Sequence, residues 1–391
     1  MEIHAHLPEK GRDLRLDLFR GIANWAIYLD HIPDNIVNWL TTRNYGFSDA
    51  ADLFVFISGY TASFVYARMM MERGFIVGAT RLTKRVWQLY VAHIILFVIY
   101  IASISYLALR FGDSEMINEF NVAGLVDNAT ETLRQGLFLK FKPVNLDVLP
   151  LYIVLMGLFP PVLWFMLRQP NWTMLASIVL WLVARQTGWN LPAYPAGTWY
   201  FNPYCWQVLF VFGSWCAMGG ARQNMHIINS RYTLWFCVAY LIFALIMTMA
   251  GRFPDSLGAM FPHWLYAEFN PNDKTNLAPY RFLHFVVITV MVIRFIPKDW
   301  SALEWKVFDP VIVCGQQSLA VFCVGVFLSF VGHFELSMSS GSLFAQIFVS
   351  VSGIAIMTIV AYYISWSKRQ DKPIKPPAAA AKPSAASAKA A

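Results

Sequence analysis

The sequence predicts an all-α integral membrane protein, a bundle of about ten transmembrane helices. Three observations carry this. Of the 391 residues 57% are hydrophobic and only 14% charged, far from the roughly one-quarter charged residues of a soluble domain. The apolar residues gather into runs near the ~20 that a bilayer core of ~30 Å demands of a helix, with charges held at the ends. No ten-residue alternation of polar and apolar positions suggests a β-barrel, so helices, which satisfy their own backbone groups, remain.

Ten segments fit, at 16–40, 50–71, 86–109, 147–168, 172–187, 204–221, 231–250, 278–296, 308–332 and 342–366. The first is the least apolar and the fifth the shortest. Basic residues set the orientation. With a cytoplasmic N-terminus, the inner side receives Arg12, Arg15, the cluster Arg68, Arg73, Arg81, Lys84 and Arg85, then Arg168, Arg222, Arg231, Arg294, Lys298 and Lys306. The longer outer loops hold Asp113, Glu119, Asp127, Glu131, Asp255 and Asp273. Both termini are therefore expected in the cytoplasm.

The chain divides into a cytoplasmic segment 1–15, a transmembrane domain 16–366 and a basic Ala/Pro/Lys tail 367–391. Low complexity and a lack of aromatics predict that the tail is disordered. The first fifteen residues lack a hydrophobic run ending in a cleavage site, so no removed signal peptide is expected. A net charge of +7 suits membrane lipid headgroups, and no nucleic-acid motif accompanies it. Cys205, Cys216, Cys237, Cys314 and Cys323 fall inside apolar segments, in neither disulfide nor metal-ligand spacing, and read as small buried hydrophobes. No metal site is expected.

The first helix, within "RLDLFRGIANWAIYLDHIP", breaks the apolar pattern. At ~100° per residue, Asp17, Arg20, Asn24, Tyr28 and His31 fall within about 80° of one another, while Asp30 points to the other side. Arg20 and His31 lie about 16 Å apart along the axis. An intramembrane ionisable residue is a functional-site hypothesis by default. His31, whose neutral ring is favoured by burial, has the chemistry of a general base. Asp49 and Asp52 open the second helix, where the helix dipole favours carboxylates; orienting His31 is the competing role. Ser58, Gly59 and Tyr60 lie mid-helix, where Ser-Gly permits close helix approach or lines a substrate path. Asp147, His93 and His284 fall at or within segments as buried polar groups. Gln316, Gln317 and Ser318 either bridge helices or donate to a carbonyl oxygen. In "TGWNLPAYPAGTWYFNPYCW", Trp199, Tyr200 and Trp206 form either an interfacial belt or a platform on which sugar rings stack.

An Arg followed eleven positions later by His, in "LDLFRGIANWAIYLDH", resembles the signature of the acyltransferase family 3 membrane enzymes. "DAADLFVFISGYTASF" and "RLTKRVWQLY" resemble that family's second helix and the entry to its third. Over most of the chain, "DHIPDNIVNWLTTRNYGFSDAADLFVFISGY", "LDVLPLYIVLMGLFPP", "NPYCWQVLFVFG", "RFLHFVVI" and "CGQQSLAVF" resemble the OpgC family, associated with succinylation of osmoregulated periplasmic glucans. The resemblance implies a multi-pass protein of the bacterial inner membrane that moves an acyl group, succinyl foremost, from acyl-CoA to a periplasmic glucan. It implies no permanently bound cofactor; succinyl-CoA is a substrate, and glucan-synthesis proteins are possible partners. On this reading His31 is the base, with Arg20 and Asp52 in support. Arg81, Lys84 and Arg85 meet the CoA phosphates, Ser58, Gly59 and Tyr60 line the acyl path, and Trp199, Tyr200 and Trp206 receive the acceptor. Asp17, Asn24, Asp30, Asp49, Asp147, His284, Gln316 and Ser318 support the site. The alternative is a transporter or flippase for a glycan or acyl intermediate, since carriers also bury Arg, Asp and His; no internal duplication supports it.

Overall fold

A computed structural model describes residues 11–111 and 115–371. The segment 1–10, Asp113 and positions 372–391 of the expected disordered tail lie outside the described residues. The helices, in chain order, are α1 (Leu14–Asp30), α2 (Ala50–Arg73), α3 (Phe75–Phe111), α4 (Glu115–Glu119), α5 (Gly124–Leu137), α6 (Val148–Arg168), α7 (Pro170–Thr187) and α8 (Pro203–Ala217). They continue with α9 (Gly220–Gln223), α10 (Met225–Ile228), α11 (Arg231–Arg252), α12 (His263–Phe269), α13 (Pro279–Phe295), α14 (Asp309–Gln316), α15 (Ser318–Met338) and α16 (Leu343–Gln370). Among the described residues there is no β-strand, only one bridging pair between Pro192 and Thr198. Six helices, α2, α3, α6, α11, α15 and α16, are long and apolar enough to cross a membrane. This is an all-α membrane protein.

Four boundaries differ from the expected ones, and for the first and ninth segments the local sequence gives the reason. The first segment, expected over 16–40, stops as an α-helix at Asp30; Pro33 cannot continue it, Asp34 turns to φ 52°, and a 3-10 turn over Ile36–Leu40 follows. The ninth, expected as one helix over 308–332, is two, because Gln317 leaves helical geometry at φ −107°, ψ 29°. The third begins eleven residues early, at Phe75, so Arg81, Lys84 and Arg85 ride on the helix rather than in a loop before it. The last helix runs to Gln370, past the expected start of the tail at 367.

The local sequence explains the firm ends. Asp13 caps α1 by accepting from the Arg15 amide, and Asn202 caps α8 through the Tyr204 amide with Pro203 at its first position. Asp49 and Asp52 form a reciprocal capping box at the head of α2. Between α2 and α3 Gly74 takes φ 89°, a conformation nearly closed to other residues.

The centre of the bundle is α2 against α8, with α6 and α3 packed alongside. Gly59 lies against the Phe210 backbone and Gly213 against the Phe56 carbonyl oxygen, so the two helices approach backbone to backbone. Without a hydrophobic drive between helices in lipid, this close packing is what joins them. Trp206, Phe210 and Phe159 fill the space beside it. Gly213→Ala is expected to destabilise the protein by about 1–3 kcal/mol, because its methyl meets rigid backbone. Thermal unfolding in detergent checks this; an unchanged melting temperature would contradict the packing.

Candidate functional site

Two cavities open in the bundle. The first, of about 1570 Å³, lies where α1 ends and α2 begins. His31 is the C-terminal cap of α1, its amide donating to the Ile27 carbonyl at 3.2 Å, and its half-buried side chain lines this cavity. Its Nδ1 is buried with no hydrogen-bond partner. Asp30 lines the same cavity; its carboxylate accepts from Thr41 Oγ1 at 2.6 Å and its carbonyl from Arg43 at 2.9 Å, where the chain folds back past the end of α1. The remaining walls come from distant segments: Lys140, Lys142, Asn145 and Asp147 before α6, Tyr194 and Tyr200 before α8, Lys274 and Arg281 around the start of α13, and His333 on α15.

A buried charge cluster stiffens this region. Arg281 pairs with Asp49 at 3.0 Å and with Asp52, and donates to the Phe47 carbonyl at 2.7 Å. Lys274 meets Asp49 at 2.6 Å. Asp52 is fully enclosed; its carboxylate is taken up by Arg281 and by the Asp49 amide at 2.8 Å, and it does not reach His31. Its place is that of a group anchoring α2 to α13. His284 is likewise interior, its Nδ1 sharing a hydrogen bond with Ser48 Oγ at 2.7 Å. Outside the spans, burial pushes the Asp147 carboxyl up to about 6, against the opposing pull of Lys142 and Lys274, and pushes the Lys142 ammonium down to about 8.

The second cavity, of about 1050 Å³ and mostly apolar, is walled by α1, α2, α3, α6, α14, α15 and α16. Arg20 enters it, donating to Thr61 Oγ1 at 2.9 Å. Ser58, Arg85, Gln316, Ser318 and Lys368 also line it. Lys368 donates to Gln317 Oε1 at 2.7 Å, at the break between α14 and α15. Arg81 and Lys84 are exposed on α3 outside the cavity, and Gly59 and Tyr60 are not on its wall; Gly59 is spent on contact with α8.

The polar stripe of α1 is therefore divided rather than gathered. Asp17 is buried beside Arg12, Arg20 serves the second cavity, Tyr28 donates to the Val349 carbonyl of α16 at 2.8 Å, and His31 serves the first. Asn24 sits one turn from each cavity, 1% exposed, its amide nitrogen facing Ser318 at 3.4 Å and its Oδ1 without a partner. The acceptor platform is corrected too. Trp199 and Trp206 are interior, Trp206 Nε1 donating to the Lys274 carbonyl at 2.9 Å; of the three aromatics, only Tyr200 is exposed and on the cavity wall.

Sequence reasoning missed Lys142, Lys274 and Arg281. Arg281 had a signal: it opens "RFLHFVVI" one turn before His284, on what becomes the same helix face. Lys142 and Lys274 sit in loops whose local sequence carries no period.

An all-helical membrane protein with a charged chamber at the end of its first helix is the class that fold and site define. Compared with known protein families, residues 12–369 match the family described as OpgC protein. The chain belongs to the OpgC family, and with it comes an OpgC-type function in glucan modification by an enzyme of the acyltransferase type. No curated protein and no solved structure matches the chain.

Proposed function

We propose that this protein is a ten-span O-acyltransferase of the bacterial inner membrane, with both termini cytoplasmic. It moves an acyl group, most simply succinyl, from acyl-CoA to hydroxyls of a periplasmic glucan. The observation that carries the reading is the spacing of the two cavities. On α2, Ala51 lines the first and Phe54 the second; on α6, Val148 lines the first and Tyr152 the second. One helical turn, about 5 Å, separates them. A donor whose phosphates meet Arg85, and beyond it Lys84 and Arg81, can lay its pantetheine arm along the apolar second cavity past Arg20 and Ser58. Its thioester then reaches the layer below His31.

In the reaction His31 takes the proton of a glucan hydroxyl as the oxygen attacks the thioester carbonyl. The C–O bond forms, the C–S bond breaks, and the imidazolium returns the proton to the departing thiolate, giving ester and free CoA. The polar, loop-walled first cavity is large enough for several sugar residues, with Tyr200 exposed on its wall for stacking. Asp49 and Asp52 act here through Arg281 and Lys274, fixing the chamber.

One observation favours a transporter instead: the interrupted helix at Gln317, a feature that carriers use at their binding sites. Purified protein in liposomes, supplied with succinyl-CoA with and without β-glucan, separates the two. Glucan-dependent CoA release is expected; no release from folded protein, with glycan movement across the bilayer, would replace the enzyme by the carrier.

A further inference from the structure

The first cavity contains a buried cation that makes no direct ion pair with a carboxylate among the described residues; Asp147 acts on it only from beyond contact. Lys274 and Arg281 are held by Asp49 and Asp52, and Arg43, Lys140 and Arg252 are exposed to solvent. Lys142 is 8% exposed and lines the cavity. Its ammonium lies 3.9 Å from the centre of the Trp199 ring and donates to the Leu139 carbonyl at 3.2 Å. Among the described residues no acid pairs with it. Behind it, off the cavity wall, Trp199 Nε1 is buried without an acceptor. A desolvated ammonium with three donors and one acceptor is costly unless an anion completes it, and this one stands at the edge of a chamber large enough to admit an anion.

We propose that Lys142 is the anion-binding group of this cavity and receives a carboxylate carried by the substrate. Two carriers share that chemistry: an acyl donor with a free carboxylate at its far end, and an acceptor already bearing acidic substituents. The choice of carrier rests on the acyl-transfer reading; the anion site does not. Arg281 and Lys274 cannot substitute, because their charge is already satisfied. The Trp199 ring face holds the ammonium itself, so its remaining N–H groups point in a fixed direction.

The charge that acts on Lys142 is Asp147 at the head of α6, and the His93 ring on α3 feels the ammonium in turn; Lys140 on its own loop and Lys274 line the same cavity. Burial holds the ammonium down to about 8, so the charge is present at neutral pH and lost on the alkaline side. Arginine at this position stays charged throughout.

The test uses the full-length protein in detergent micelles, with succinate as probe and neutral succinamide as its isostere, followed by calorimetric titration. At pH 7 wild type is expected to bind succinate and not succinamide. Lys142→Met is expected to weaken succinate binding about tenfold or more, and Lys142→Arg to retain it. At pH 9.5 wild type loses binding while Lys142→Arg keeps it. Succinate binding by folded Lys142→Met equal to that of wild type overturns the proposal, as does equal binding of succinamide by wild type. CoA release then identifies the carrier. Succinyl-CoA against butyryl-CoA on neutral glucan reads the donor, and neutral against succinylated glucan reads the acceptor. Lys142→Met is expected to erase one of these preferences; if it leaves both intact, the proposal falls. Absence of release with every donor in wild type refutes acyl transfer and leaves the titration to judge Lys142 alone.

Discussion

His31→Ala is expected to lower glucan-dependent CoA release about 10²–10⁴-fold, the usual contribution of a positioned base, with little change in melting temperature. The two halves of this expectation have separate structural grounds. Stability is spared because His31 ends α1 through its backbone amide, which alanine keeps, and because its Nδ1 has no partner to lose. Activity is lost because a sugar hydroxyl attacks a thioester poorly while it holds its proton, and no other imidazole among the described residues occupies the same end of α1. His333, also on the wall, is engaged by Glu119 at 2.8 Å. His31→Gln, which keeps polarity but accepts no proton near neutrality, is expected to be as slow as alanine. Turnover at the wild-type rate by either variant, measured as CoA thiol release, would remove His31 from the chemistry.

The second large effect concerns folding. Arg281→Met leaves the cavity-lining Asp49 and the enclosed Asp52 without a shared counter-charge, and is expected to cost about 3–5 kcal/mol. Lys274 still reaches Asp49, so the burden falls on Asp52, which is 0% exposed. The loss follows from stranding a charge and not from the worth of the ion pair itself. Accordingly, adding Asp52→Leu to Arg281→Met is expected to restore part of the stability. Unfolding in detergent by heat or denaturant reads both. A double variant less stable than Arg281→Met alone would mean that the Asp52 bond to the Asp49 amide matters more than its charge.

Much of the bundle was legible because hydropathy and length act locally. Each of the ten expected segments contains a helix, and six of those helices are long and apolar enough to span a bilayer. What failed to show was local in another sense. Pro33 ends α1 within a stretch apolar enough to suggest continuation, and Gln317 breaks a run whose hydropathy does not change. The chamber was half legible. His31, Asp49 and Asp147 stood out as ionisable groups at the borders of apolar segments, and all three line it. Lys142 and Lys274 did not, since tertiary structure alone brings their loops together. Trp199 and Trp206 were misread because an interfacial ring and a buried one look the same in sequence; burial depends on what folds over them, here Lys142 on Trp199 and, on Trp206, the 271–278 turn, whose Lys274 carbonyl takes its N–H.

The thin layer between the cavities, where Phe54 meets Phe322 at 5.5 Å and Tyr152 at 6.0 Å, has an electrical consequence. Voltage across a membrane falls where the medium is least polarisable. The more water the two chambers hold, the more of the transmembrane potential drops over that single turn of aromatic rings. A charged group passing from one chamber to the other does its electrical work there, about 2.3 kcal/mol per elementary charge for each 100 mV. A neutral group does none.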